Sequence, residues 1–467
     1  MQYLDFELEI DGGPGAYQVI ARSPEGQARE QASMTVTAEQ LAASASSGGS
    51  VRASARAIGQ RLFEGVFAGT VRDLYSRTRV SARLKKMGVR IRLSVIPPAL
   101  AGFPWELLYD PGEDDHLALD RDTPLVRSLP ALQPVEPLAA PTPLQMLAMA
   151  AATGSLQPSD VMRHRQQLEG WLKPLVDSRQ IELAWAEPNW DDLQRKLQER
   201  ERHIFYFFGH GGFDEDEQEG FIQMEDGHGE AEPIYAKPLG SLLSNQRELR
   251  LVHLVACEGA FSSPTDVFSS TAATLIRRGL PAVLAMQREI SLEAASRLTP
   301  VFYSALANGL PIDAAVVEAR VAVRRFPNSA DWAIPALFMR AEDGVLFRQP
   351  ERKTATQAPS AVSATPASTP VTVDPTSPLG KLRAIASQPA ASVSRPELRR
   401  AMAAALSFAD LDTLCDDITG RLRGSGMPQA VSVDIVGRGG LELTILNLIQ
   451  YLDRRGLLQV LLDVLRE

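Results

Sequence analysis

The sequence predicts an α/β protein, with a mainly parallel sheet covered by helices on both faces and a small all-helical domain at the carboxyl end. Between residues 144 and 339, short apolar runs alternate with helical patterns, as is typical of strands buried on both faces. Residues 351–378 are rich in Pro, Ala, Ser and Thr. Beyond them, apolar residues recur at helical spacing.

Composition excludes several classes of protein. The 467 residues leave room for two or three domains, and 45% hydrophobic with 22% charged residues is typical of a folded chain. A net charge of -9 argues against nucleic acid or an anionic membrane as a partner. The sequence has no long apolar run, no secretory signal and only two cysteines. We therefore expect a cytoplasmic protein with no membrane or nucleic-acid partner.

Residues 1–135 predict a separate α+β part. Phe6–Ile10 and Tyr17–Ala21 are typical of an antiparallel pair around a glycine-rich turn, and helices and the strand Val89–Val95 follow. Closely spaced prolines between Leu129 and Pro143 exclude a helix interior there. A second domain is therefore expected over residues 136–350.

Six apolar runs in this second domain predict the strands of a parallel sheet. They are Leu144–Ala152, Ile181–Ala186, His203–Phe208, Leu251–Ala256, Ala282–Met286 and Pro335–Met339. The intervening helical patterns include Val161–Val176, Asp191–Arg202 and Ser269–Arg278.

Two of the strand ends carry groups suited to nucleophilic chemistry. His210 follows the third strand within Gly209-His210-Gly211-Gly212, and Cys257 follows the fourth. If these strands are neighbours, both side chains lie at one sheet edge, where an imidazole can take the thiol proton. The backbone amides of Gly211 and Cys257 would then face a developing oxyanion. Taken singly, a glycine-rich turn and a buried cysteine are usually only structural.

Several longer motifs make the similarity specific. They include Phe103–Tyr109 (FPWELLY), Pro124–Arg127 (PLVR), Gly279–Gln287 (GLPAVLAMQ), Phe302–Gly309 (FYSALANG) and Asp331–Ala336 (DWAIPA). With the GHGG turn and the Val255-Ala256-Cys257-Glu258 strand end, residues 1 to about 348 resemble a CHAT domain, a caspase-like peptidase family related to separase. The resemblance implies a cysteine endopeptidase with a caspase-like sheet, His210 as base, Cys257 as nucleophile, a protein substrate and no cofactor.

Substrate preference follows less directly from these residues. Metacaspases, which are relatives specific for basic residues, typically carry an aspartate two positions before the cysteine, whereas this sequence has Val255. Pocket candidates at the first and fifth strand ends are Thr153 and Gln287. The acidic run 214–217 with Glu219 would attract a basic substrate, although such runs are more often solvated loops.

Metal and nucleotide sites are not supported by the sequence. His210, Asp214 and His228 match no familiar zinc or calcium spacing, and His228 lies in a sequence typical of a polar turn. No phosphate-binding GxxxxGK[ST] loop occurs either. We expect neither a metal nor a nucleotide cofactor.

The carboxyl-terminal region, residues 379–467, predicts a four-helix module after the linker at 351–378. Ser394 and Glu397 form a capping-box pattern, Ser407 precedes a second helix, and Leu441–Leu452 and Leu457–Leu465 form two more. Cys415 lies at core spacing in the second helix. The module resembles the effector-associated domains, small death-fold-like adaptors of bacteria. This resemblance implies a bacterial defence or cell-death effector recruited by a partner with a similar domain; the alternative is an inactive caspase-fold scaffold.

Overall fold

The structure, a computed structural model, describes residues 2–32, 51–129, 135–139, 142–154, 156–256, 269–326, 330–348, 378–388, 393–406, 408–424, 441–454 and 457–466. The chain forms two compact units, Met1–Thr354 and Ala355–Glu467. Within the described ranges, no helix is long and apolar enough to span a membrane.

The first unit contains all the described strands. They are β1 (Tyr3–Asp11), β2 (Gln18–Ser23), β3 (Gly26–Gln31), β4 (Gly88–Val95), β5 (Tyr109–Asp110), β6 (Asp115–His116), β7 (Leu125–Arg127), β8 (Leu138–Ala139), β9 (Leu144–Ala150), β10 (Ile181–Ala186), β11 (Ile204–Gly209), β12 (Gly211–Asp214), β13 (Glu219–Glu225), β14 (Ala231–Tyr235), β15 (Leu251–Ala256), β16 (Ala282–Met286), β17 (Pro335–Met339) and β18 (Phe347–Arg348). Its helices are α1 (Val51–Val66), α2 (Gly69–Leu84), α3 (Pro98–Ala101), α4 (Pro158–Asp177), α5 (Trp190–Glu199), α6 (Ala236–Ser244), α7 (Ser269–Arg277), α8 (Leu292–Ala307) and α9 (Ile312–Arg324).

The six strands predicted for the central domain lie side by side, in the order β10-β9-β11-β15-β16-β17. The first five are parallel, and β17 is antiparallel to β16. The predicted mainly parallel α/β fold is therefore confirmed, with strand bounds within two residues of those expected.

The sheet extends beyond the six expected strands. It continues through β7, β4, β1, β2 and β3, which makes eleven strands in all. The antiparallel pairing of β1 with β2 was expected, but β1 also pairs in parallel with β4, and β4 with β7. The amino-terminal residues thus complete the same sheet, a long-range pairing that local sequence patterns do not reveal.

Alternating side chains divide the sheet between two hydrophobic cores. On β11, Phe205 and Phe207 face the core that contains residues of α5, α6 and α7. Tyr206 and Phe208 belong to the opposite core, with residues of α1, α2, α4, α8 and α9. Helices therefore cover both faces, and the strand ends are the part of the sheet left for a site.

All the secondary-structure elements described for the second unit are helices. Its helices are α10 (Pro378–Ala386), α11 (Arg395–Ala405), α12 (Phe408–Gly424), α13 (Leu441–Arg454) and α14 (Leu458–Arg466). The prediction missed α10, which begins within the segment expected to be linker. Cys415 is buried in this core, as expected.

One capping prediction for this unit is wrong. Ser394 occupies the position before α11, and Pro396 lies in the first turn as expected, but the serine side chain makes no capping hydrogen bond. The backbone oxygen of Ser394 instead accepts from Leu398 as the helix begins. The predicted cap Ser407 lies outside the described residues.

Candidate active site

His210, the described half of the predicted dyad, lies where the chain leaves the large sheet after β11 and enters a three-stranded sheet made of β12, β13 and β14. It joins β11 to β12, is 6% exposed, and accepts a hydrogen bond at its backbone oxygen from Gln223 N on β13 (2.9 Å). A Cβ on Gly209 would lie 2.7 Å from the Phe207 ring. Glycine is therefore needed at position 209, immediately before His210.

A second loop packs against the imidazole. Gly154, which follows β9 and has φ +63°, lies so close that an added Cβ would be 3.4 Å from His210 Cε1. This loop is attached to the β12–β13 hairpin, since Ala152 N donates to Glu225 Oε1 (3.1 Å). The backbone of the Gly154 loop thus lies against the His210 imidazole.

The strand that precedes Cys257 is the neighbour of the strand that precedes His210, which is the condition on which the predicted dyad depends. β11 and β15 are parallel, and their register ends with Phe208 beside Val255 and Gly209 beside Ala256. Cys257 itself lies outside the described residues, as does the rest of 257–268. The other oxyanion candidate, Gly211, is buried in β12 opposite Ile222.

The two predicted pocket residues have different surroundings. Thr153 is buried beside Gly154, and its carbonyl accepts from Leu156 N (3.1 Å). Gln287 uses its side-chain amide inside the protein: it donates to Glu106 Oε2 (2.7 Å) and to the carbonyls of Ala333 and Ile334.

Gln287 belongs to a buried polar network that the sequence did not predict. Arg127 donates to both carboxylate oxygens of Glu106 (3.0 and 2.8 Å) and to Gln287 Oε1 (3.0 Å). Glu106, Arg127 and Gln287 lie within the motifs FPWELLY, PLVR and GLPAVLAMQ, and of the three only Gln287 was predicted to have a role, as a pocket residue. A charged residue inside an apolar motif is the signal that could have identified this network.

A cavity of about 470 Å³ lies beside the site, at the carboxyl ends of β11, β15 and β16. The strands contribute Tyr206, Phe208, His253, Val255 and Met286. The walls come from α4, α8 and the segments before them: Leu156, Asp160, Arg163, His164, Gln167, Trp171, Glu289, Ile290, Leu292, Ala295, Leu298 and Thr299. Thr153 and Gln287 are not among the lining residues.

The cavity contains two buried histidines that are neutral at neutral pH. Burial lowers the pKa of His164 to about 3 and that of His253 to about 3. His164 Nε2 lies 2.8 Å from the Tyr206 hydroxyl, and His253 Nδ1 lies 2.8 Å from the Tyr303 hydroxyl. These phenols fix the ring orientations without adding charge.

Carboxylates of the acidic run take part in turns. Asp214 Oδ1 accepts from the backbone of Asp216 (2.9 Å) and Glu217 (3.1 Å), and these bonds help to lower its pKa, the Glu217 bond most. Glu219 pairs with Lys237 (2.8 Å). His228 also lies in a turn, where its backbone N–H donates to Asp226 (2.7 Å). Over the residues the structure describes, no group of three or more His, Cys, Asp or Glu is placed to hold a metal ion.

Comparisons with known proteins give a family and two distant structural similarities. The CHAT domain family model matches residues 53–343, more than half of the chain. The separase–securin complex of Saccharomyces cerevisiae is similar at 12% identity and a TM-score of 0.41 over 72% of this chain, which spans only 30% of that one. The Arg-specific cysteine proteinase gingipain R is similar at 12% identity and a TM-score of 0.37, covering 60% of this chain and 68% of that one. No curated protein sequence matches the chain.

Proposed function

Because the chain belongs to the CHAT domain family, we propose that it is a caspase-like cysteine endopeptidase in which His210 is the base and Cys257 the nucleophile. The observation that carries this proposal is the register of β11 and β15. Its last described pair is Gly209 and Ala256, and the next residue in sequence is His210 on one strand and Cys257 on the other.

The proposed reaction uses groups at one sheet edge. The His210 imidazole takes the Cys257 thiol proton, and the thiolate attacks the scissile carbonyl to form a tetrahedral oxyanion that the amides of Gly211 and Cys257 stabilise. Collapse breaks the C–N bond, and the imidazolium gives its proton to the leaving amine. Water then hydrolyses the thioester and restores the thiol.

The biological role we propose is that of a bacterial defence or cell-death effector acting on a protein partner in the cytoplasm. The helical unit at the carboxyl end would recruit it to a partner with a similar adaptor domain. This part of the proposal is supported by the resemblance of residues 379–467 to effector-associated domains, and by the all-helical character of their described segments.

Cleavage of a fluorogenic peptide library by the full chain tests the proposed activity. Cys257→Ala and His210→Ala should each abolish turnover, because members of one catalytic unit do not act independently. Cys415→Ala is the matched control, since Cys415 is the other cysteine and lies in the second unit. Cleavage that survives Cys257→Ala would rule out the dyad, and a folded wild-type chain that cleaves nothing would favour the inactive scaffold.

A further inference from the structure

We propose that the cavity beside the ends of β11, β15 and β16 binds one bulky, uncharged side chain of the substrate, that of the residue on the amino side of the scissile bond. This inference rests on the proposed peptidase function. It adds a substrate class that the family match does not provide.

The position of the cavity connects it to the proposed dyad. Phe208 and Val255 line it and are neighbours in the register of β11 and β15. In sequence they precede His210 and Cys257 by two residues each. A side chain held in this cavity would therefore leave its own backbone beside the two strand ends that lead to the proposed dyad.

Ten of the seventeen residues that line the cavity are apolar or aromatic. Its lining includes Trp171, Phe208, Met286, Ile290 and Leu298. Tyr206 and His253, which are neighbours on β11 and β15, lie at the inner end of the cavity and are 1% and 0% exposed. A lysine, arginine or aspartate side chain would lose its hydration there, which costs several kcal/mol unless a counter-charge is present.

His253 adds no charge to the cavity lining. Its Nδ1 is engaged with Tyr303, whereas Nε2 is buried and has no hydrogen-bond partner among the described residues. Because His253 stays neutral, it supplies no counter-charge to a side chain held in the cavity.

The charged lining residues are fewer and lie toward the entrance. Arg163 and Asp160 form an ion pair with side chains 63% and 34% exposed, and Asp160 Oδ2 also accepts from Gln157 N (3.1 Å) at the start of α4. Glu289, half-buried after β16, is the remaining carboxylate. It makes a basic substrate residue the competing outcome.

Cleavage kinetics of peptides that differ only in the residue before the scissile bond test whether the cavity prefers a charged or an uncharged side chain. The probes are N-acetylated tetrapeptide coumarin amides, Ala-Ala-Ala-X, with X as Leu, Met, Phe, Arg, Lys, Asp or Ala. We expect kcat/KM for Leu, Met or Phe to exceed that for Arg, Lys and Asp by about tenfold or more. Preference for Arg or Lys would overturn the inference.

A cavity-filling variant tests the location. Ala295→Leu adds volume inside the lining and should lower the ratio of kcat/KM for X as Phe to that for X as Ala by about tenfold. Ser296→Leu, the next residue on α8 and not part of the lining, should leave this ratio unchanged. The ratio does not depend on the fraction of active protein, so an unchanged ratio in Ala295→Leu would place the specificity pocket elsewhere.

Binding separates this inference from the proposed function. With the full-length Cys257→Ala variant, calorimetry should show tighter binding of the X = Leu peptide than of the X = Arg peptide. Equal or reversed affinities would overturn the inference whether or not the wild type cleaves. The expected affinities without any wild-type cleavage would contradict only the peptidase proposal.

Discussion

Replacing the buried carboxylate of Glu106 should destabilise the first unit strongly. Glu106 is 1% exposed and receives three hydrogen bonds, two from Arg127 and one from Gln287. In Glu106→Gln the side chain keeps a single acceptor oxygen and turns an NH₂ group toward donors. Removing one partner of a buried ion pair costs about 3–5 kcal/mol, and we expect about 3 kcal/mol here because one acceptor remains.

Urea unfolding followed by tryptophan fluorescence measures this change. All five tryptophans, Trp105 to Trp332, lie in the first unit, so their fluorescence reports that unit alone. With a slope near 3 kcal/mol per molar urea, the midpoint should fall by about 1 M.

A surface ion pair supplies the matched control for this substitution. Glu318 pairs with Arg121 at 3.0 Å, with side chains 34% and 53% exposed, so Glu318→Gln makes the same chemical change where it should cost less than about 1 kcal/mol. Equal midpoints for Glu106→Gln and Glu318→Gln would refute the view that the Glu106 network holds this part of the fold together.

Three other predictions concern pH, the His210 loop and the second unit. The pKa of His164 and of His253 is near 6.5 in the unfolded chain but about 3 in the folded one, so their contribution to stability is complete above pH 6.5 and is lost as the pH falls. Between pH 7 and pH 5 the free energy of unfolding should fall by about 2 kcal/mol for each histidine, and a urea midpoint that does not fall would contradict this. Gly154→Ala should lower kcat several-fold with little loss of fold by circular dichroism, because a Cβ there contacts His210 and φ is +63°; an unchanged kcat would show that this loop does not position the imidazole. Truncation after Arg352 should preserve peptide cleavage but abolish capture of the adaptor partner in a pull-down, and an inactive truncated chain would mean that the helices complete the catalytic unit.

Local sequence patterns predicted the central strands well. β15, β16 and β17 begin and end where their apolar runs do, because a strand buried on both faces is largely apolar. The edge strand β10 also matches its run, although it carries Glu182. The three predicted helices correspond to α4, α5 and α7 within three residues at each end. The place of His210 after β11 also follows from such local patterns.

Long-range pairing and buried charge were not predictable in the same way. The parallel pairing of β1 with β4 joins residues such as Phe6 and Ile91, and no periodicity within either strand specifies it. In the sequence, Arg127 and Glu106 each look like exposed polar residues. They can be buried because they hydrogen-bond to each other, and the sequence does not show that pairing. The sequence did not predict the cavity, because its walls come from separate elements. The residues that α4 and the strands contribute look like ordinary core residues in the sequence.

Intact-protein mass spectrometry after reaction with a peptidyl acyloxymethyl ketone is the most direct test of the central claim. We predict one adduct on the full chain, mapped to Cys257 by peptide sequencing, absent in Cys257→Ala, strongly slowed in His210→Ala and retained in Cys415→Ala. Labelling of Cys415 alone, or labelling of Cys257 at the same rate with and without His210, would contradict a His210–Cys257 catalytic pair.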